Sequence, residues 1–239
     1  LVVTHKVVKF PIEEIYFPIC VGPYKNNFGA NVLRDDQGEN IANKNNQYSE
    51  LTALYWAWKN LSSNYIGIVH YRRYMTKRNC RSLNNILSKE EALYELKHYD
   101  ILAVKPRIYF ETVKNHFINC HKTMKDVSAR QIKILSDVIE KYTPEYKTSF
   151  DTVMNGHSAH MFNMFVMSYS DLNDYCSWIF PILFETEKII KSEGILFDRL
   201  MGSLSEFLLD TWILKNNKTL ENLKLYHTEM DLFQHIKRF

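Results

Sequence analysis

Asn64-Tyr65-Ile66-Gly67-Ile68-Val69-His70-Tyr71-Arg72-Arg73-Tyr74 is the stretch on which the fold turns. Ile66, Ile68 and Val69 are β-branched and apolar, and polar residues close the run at its carboxyl end. Such a run predicts a buried strand. Beyond it stand a histidine and two arginines between tyrosines. Open α/β sheets bind ligands in the crevice outside the carboxyl ends of their strands. Arg is planar, permanently charged and able to grip phosphate with two hydrogen bonds. Arg72 and Arg73 therefore suit a diphosphate, with His70 as a third donor. The plainer reading makes one arginine a solvated surface charge.

Working outward, residues 1–6 read as a strand entering a polar loop. Residues 16–21 form a second apolar run, closed by Gly22-Pro23. Residues 26–46 are rich in Asn, Asp, Gly and Gln. A loop of about 20 residues is longer than compact domains usually carry, and marks a candidate active-site loop. Residues 50–61 place Leu51, Leu54, Tyr55 and Trp58 at helical spacing, with Ser49 as N-cap. Downstream, helices are expected at 88–98, 127–142, 171–191 (capped by Ser170) and 203–215. Strands are expected at 100–104 and 156–167. The tail, 216–239, alternates only weakly. This order predicts a single α/β domain over 1–239, with a mixed, mostly parallel central sheet and flanking helices.

Composition excludes several classes. With 46% hydrophobic and 24% charged residues the chain is globular. At this length it can bury roughly 70% of its unfolded surface. The net charge of +3 and pI near 8.5 fall short of the clustered basic surface a nucleic-acid protein shows. Cys20, Cys80, Cys120 and Cys176 are widely spaced, which predicts reduced thiols in a cytosolic protein. No apolar run approaches the roughly 18 residues of a membrane span, and residues 1–9 read as a strand, not a signal peptide. The 15 Tyr and 14 Phe suit sugar faces and nucleobases, or simply a core.

Dinucleotide-binding, P-loop, nucleophile-elbow and zincin motifs are all absent. Three further clusters remain. Asn46 and Glu50 stand at a helix start, where amides and a carboxylate can meet an anion or sugar hydroxyls, or merely cap the helix. His157 and His160, beside Asn163, are three apart on an expected strand and so face opposite sides. That argues against a shared metal and leaves sugar-pocket lining or hydrogen-bonded core histidines. Arg199 is a second candidate phosphate partner. Ser203 and Glu206 have capping-box spacing, yet a Glu after a Gly-containing segment can also face a cleft as a general base.

Thr4-His5-Lys6, the Asn-Lys-Asn…Glu-Leu-Thr-Ala-Leu-Tyr-Trp-Ala-Trp-Lys-Asn block, the His-Tyr-Arg-Arg-Tyr strand end, Ala-His-Met-Phe-Asn-Met-Phe-Val-Met and Leu-Ser-Glu-Phe-Leu-Leu-Asp-Thr-Trp together resemble one family. It is the domain-of-unknown-function family 4422, found among capsule, exopolysaccharide and lipopolysaccharide glycosyltransferases. The resemblance runs from Val3 to about Leu214. It implies a GT-A-like, Rossmann-type sandwich that transfers galactofuranose or another hexose from a UDP-sugar to a saccharide or lipid-linked acceptor. It further implies that Thr4, His5 and Lys6 sit near the nucleotide, with 1–110 the donor-binding half and 111–239 the acceptor half. Where such enzymes carry Asp-x-Asp to hold a divalent cation, this chain has His70-Tyr71-Arg72. The expectation is metal-independent transfer, with fixed cations stabilising the departing UDP. Asp35 and Asp36 keep a metal-dependent route open.

The reaction expected is attack of an acceptor hydroxyl on the anomeric carbon, with Glu206 as base and Asp151 and Glu50 behind it. A basic tail (Lys215, Lys218, Lys224, Lys237, Arg238) would serve contact with the inner membrane face of a cytoplasmic enzyme, or be plain surface. The rival reading is a non-catalytic nucleotide- or carbohydrate-binding module.

Overall fold

The computed structural model describes residues 1–22, 28–29, 32–79, 82–120 and 123–228. Pro23, Cys80, Lys237 and Arg238 lie outside the described residues. In chain order the strands are β1 (Val2–Thr4), β2 (Pro18–Cys20), β3 (Leu33–Arg34), β4 (Tyr65–His70), β5 (Arg73–Thr76), β6 (Ile101–Val104), β7 (Arg107–Ile108), β8 (Ser158–Ala159), β9 (Phe165–Ser168) and β10 (Leu220–His227). The helices are α1 (Asn45–Tyr48), α2 (Leu51–Asn60), α3 (Lys89–Glu95), α4 (Val113–Cys120), α5 (Lys125–Tyr142), α6 (Lys147–Asn155), α7 (Tyr169–Ser192), α8 (Leu200–Ser205) and α9 (Leu208–Lys215).

β1 lies between β2 and β4, parallel to both, and β3 extends the run beyond β2. β9 runs antiparallel to both β4 and β6. β6 is parallel to the first half of β10. The second half of β10 changes partner and runs antiparallel to β5, which returns to the end of β4. Among the described residues of this eight-stranded sheet parallel and antiparallel pairings are thus equal in number, and β7 and β8 form a separate antiparallel pair, which corrects the expectation of a mostly parallel sheet. A two-residue turn joins β4 to β5 and permits only antiparallel pairing.

Alternation along the strands splits the core into two layers. Val3, Ile66, Ile68 and Ile101 face a large layer with α2, α5, α7 and α9. Val2, Val69, Leu102 and Leu223 face a smaller one with Leu87 and Ala92, beside and within α3. Each fully buried aliphatic side chain contributes about 2 kcal/mol by area. Most aromatics serve this core: Trp212, Tyr48, Tyr74, Tyr175, Phe150 and Phe165 are fully buried. Gly67 marks the tightest strand contact, since a Cβ there would sit 2.7 Å from the Val166 side chain and 2.9 Å from the Phe165 carbonyl oxygen.

Several expected elements are corrected. The strand at 156–167 is two short strands, broken where Phe162 and Asn163 adopt φ of 79° and 51°. The helix at 203–215 is interrupted at Glu206 and Phe207, so Glu206 ends α8 and Ser203 lies inside it, with no capping box. Ser168, not Ser170, caps α7 by accepting from the Asp171 N–H. Ser49 caps no helix start; it sits at φ 49° between α1 and α2. The loop at 26–46 holds β3, a 3-10 turn at Ala42–Lys44 and the start of α1. The weakly patterned tail contains β10, where only Leu223 is buried.

Candidate active site

Three parallel strands deliver their carboxyl ends to one cleft of about 350 Å³. β1 supplies Val3 and His5, β2 leads to Val21 and Gly22, and β4 supplies His70, followed by Tyr71, Arg72 and Arg73. The α1–α2 junction adds Asn45, Asn46, Ser49 and Glu50. The far wall is Phe162, Asp198, Arg199 and Glu206. This is the crevice that strand polarity predicts for a ligand.

Backbone strain gathers here. Ser49, Phe162 and Arg199 line the cleft with φ of 49°, 79° and 64°, and Asn163 stands behind it at 51°. Positive φ in non-glycine residues costs about 1–3 kcal/mol each and collects at functional sites. The Phe162 N–H donates to Glu206 Oε1 at 2.9 Å, and the Phe162 carbonyl accepts from His70 Nε2 at 2.7 Å. Asn163 Nδ2 donates to Glu50 Oε1 at 2.7 Å, while its Oδ1 accepts from Ser205 Oγ at 3.2 Å. The Arg199 N–H donates to the Asn46 carbonyl at 2.7 Å and its Nε to Ser49 Oγ at 3.3 Å. Two guanidinium groups pack against the Phe162 ring, Arg73 at 4.6 Å and Arg107 at 4.8 Å from its centroid.

The charges divide unevenly. Burial lowers the His5 pKa, and Lys6, Arg72 and Arg199 lower it further. Burial also lowers that of His70, outweighing the opposite pull of Glu50 and the Phe162 carbonyl. Since a carbonyl only accepts, the neutral His70 ring carries its proton on Nε2. Burial and the neighbouring Glu50 push the Glu206 carboxyl up to about 8, against the Phe162 N–H, Arg107 and Arg199. At neutral pH the cleft therefore presents Arg72, Arg73 and Arg199 beside two neutral histidines and a mostly protonated Glu206. The Nε2 proton of His70 is thus spent on the Phe162 carbonyl.

The model for the family described as a domain of unknown function, DUF4422, matches residues 1–218. The chain belongs to the DUF4422 family. Its fold is similar to a solved structure described as the WbbM bifunctional glycosyltransferase in its apo form, at a TM-score of 0.81 and 25% identity. The match covers 95% of this chain and 45% of that one, so the DUF4422 chain spans less than half of its neighbour's length. No curated protein matches the sequence significantly.

In this DUF4422 chain the cleft unites His5, Asn46, Glu50, His70, Arg72, Arg73, Arg199 and Glu206. Other expected site residues fall elsewhere. Thr4 is buried, and its Oγ1 bonds the Lys6 backbone in a tight turn that presents His5. The Lys6 side chain is exposed outside the cleft. His157 is exposed ahead of β8. His160 is held by Asp210 at 2.5 Å and Asn222 at 2.9 Å, tying β8 to α9 and β10. Asn163 stands behind the wall. Asp151 pairs with Lys147 along α6.

The His70-Tyr71-Arg72 site offers cations and an imidazole where a divalent ion needs oxygen ligands, so the donor set does not fit one. Asp35 is buried and Asp36 pairs with Arg34 at 2.9 Å. Among the described residues no group of three or more His, Cys, Asp and Glu is placed to hold a metal, and no helix is long and apolar enough to cross a membrane. Sequence reasoning missed Phe162 and Arg107. Asn at position 163 hints at left-handed backbone, but nothing marks the Phe before it.

Proposed function

We propose that this chain is a glycosyltransferase that moves a hexose from a UDP-sugar to a saccharide acceptor, on a GT-A-like frame. The observation that carries it is the convergence of three parallel strand ends on a cleft holding Arg72, Arg73 and Arg199 opposite the carboxyl groups of Glu50 and Glu206. The likeness to a bifunctional glycosyltransferase supports the same reading. The donor half, 1–110, contributes most of the cationic wall; 111–239 contributes Phe162, Arg199 and Glu206.

In this reading the donor diphosphate lies against the arginines, where fixed positive charge stabilises it as it leaves. The acceptor hydroxyl oxygen attacks the anomeric carbon, and the bond from that carbon to the diphosphate oxygen breaks. UDP departs with the electron pair, and the hydroxyl proton passes to ionised Glu206. A base poised near 8 is close to the value that proton transfer near neutral pH favours. No metal ion takes part. The enzyme works in the cytoplasm on capsule, exopolysaccharide or lipopolysaccharide precursors, meeting lipid-linked acceptors at the membrane face.

The test is a thermal-shift screen of UDP-, GDP-, CMP- and dTDP-sugars in EDTA, followed by UDP release with and without oligosaccharide acceptors. Acceptor-dependent UDP release in EDTA is expected. Donor binding with no turnover for any pair would make the chain a binding module, and turnover only with added divalent ion would end the metal-free mechanism.

A further inference from the structure

We propose that the dipeptide Phe162-Asn163 is the positioning element of the site, whose two left-handed residues hold His70, Glu206 and Glu50 in one arrangement and fix the His70 tautomer. The inference rests on the glycosyltransferase reading for its effect on rate, but not for its structural content.

The geometry is economical. Consecutive positive φ values, 79° and 51°, turn one short segment so that the Phe162 backbone meets two cleft side chains and the Asn163 side chain a third. The Phe162 N–H meets Glu206 at 2.9 Å and its carbonyl meets His70 at 2.7 Å. The Asn163 amide meets Glu50 at 2.7 Å and is itself fixed by the Gly202 carbonyl at 3.3 Å and Ser205 Oγ at 3.2 Å. Asn tolerates left-handed backbone, but Phe is a genuine outlier there. Such strain persists only where the surroundings over-determine it, and here the guanidinium groups of Arg73 and Arg107 both pack against the ring. One consequence is chemical. The Phe162 carbonyl requires a proton on His70 Nε2, so Nδ1 is the bare nitrogen, an acceptor for a sugar hydroxyl or a bound water. A second is electrostatic: a donated N–H favours the ionised Glu206. The other charged or titratable groups facing Glu206 are Glu50, Arg107, Arg199 and Tyr109, and those facing His70 are Glu50, Arg72 and Arg73.

The experiment separates backbone from ring. Phe162→Gly deletes the ring but reaches the same φ readily. Phe162→Val keeps an apolar side chain but disfavours that φ. Nitrogen-15 and carbon-13 NMR on the full chain read the His70 tautomer and the Glu206 titration without any assay of transfer. The expected result is the Nε2–H tautomer in the wild type and in Phe162→Gly. In Phe162→Val we expect a mixed tautomer, an upward move of the Glu206 titration, and a kcat at least ten-fold below that of Phe162→Gly with donor KM little changed. Identical spectra for the two variants would overturn the proposal. Should Phe162→Val fail to fold, the wild-type spectrum decides alone, because an Nδ1–H tautomer contradicts the Phe162 bond. If the spectra are as expected while no donor is ever turned over, the transferase reading fails and the positioning role stands.

Discussion

Replacing Glu206 by Gln removes a charge the folded cleft resists while keeping an oxygen to accept the Phe162 N–H. The unfolded carboxyl ionises near 4.5, and the folded one holds its proton to about 8. Between these values the native state binds more protons than the unfolded one, so wild-type stability falls as pH rises through that window. At about 1.4 kcal/mol per pKa unit, the folded state forgoes roughly 3 kcal/mol at pH 7 and roughly 4–5 kcal/mol above pH 9. Glu206→Gln escapes that loss. It should match the wild type near pH 4 and exceed it by about 3 kcal/mol at pH 7, which is a Tm gain of roughly 6–12 °C for a chain of this size. The same variant should lose transfer while still binding UDP, an exchange of activity for stability that active sites commonly show. Urea unfolding at several pH values from 4 to 9 reads the gap directly. A stability difference that stays constant with pH, or a variant weaker than the wild type at pH 9, would refute the reasoning that Glu206 is held protonated.

If ionised Glu206 is the base, kcat should rise with pH, reach half its plateau near 8 and level off above about 9; a rate flat from pH 6 to 9 would remove it from that role. Arg72→Ala should lower kcat/KM by about 2–4 kcal/mol, as loss of one preorganised charge-stabilising donor does elsewhere, and an unchanged value would clear Arg72 of contact with the leaving group. His160→Leu leaves the largely buried Asp210 carboxylate with only the backbone N–H of residue 160 as donor and should cost about 1–3 kcal/mol in urea unfolding. Its pKa is raised, because the Asp210 bond and charge outweigh the burial that opposes ionisation. The pair's contribution is therefore full below the ordinary histidine value and lost as pH rises through the folded one. Gly67→Ala forces a methyl against the Phe165 backbone and should destabilise by about 1–3 kcal/mol, again read from urea midpoints.

The strand at 65–70 was legible because its apolar residues needed no partner knowledge, and the polar group after it could only stand at a strand end. The same logic brought Arg72 and Arg73 to a crevice at the strand ends, whereas His5 was placed there only by the family resemblance. Helices α2 and α5 were readable from period alone. What escaped the sequence depends on tertiary contacts. β10 is polar on most of its length and exists because β6 and β5 flank it with open edges. The break at Glu206 follows no Pro or Gly, and its carboxyl is turned toward a peptide group forty-four residues away. The Phe162-Asn163 turn is invisible locally because Phe opposes the conformation that its neighbours impose. His160 misled for a related reason: its partners, Asp210 and Asn222, lie on elements far along the chain.

The central claim is that fixed cations after β4 and at the start of α8 receive the donor's diphosphate. A crystal structure with a bound UDP-sugar tests it most directly. The account predicts phosphate oxygens within hydrogen-bond distance of Arg72, Arg73 or Arg199, with the sugar directed toward Glu206. Phosphates seated elsewhere, or wrapped around a metal ion held by Asp35 and Asp36, would contradict it.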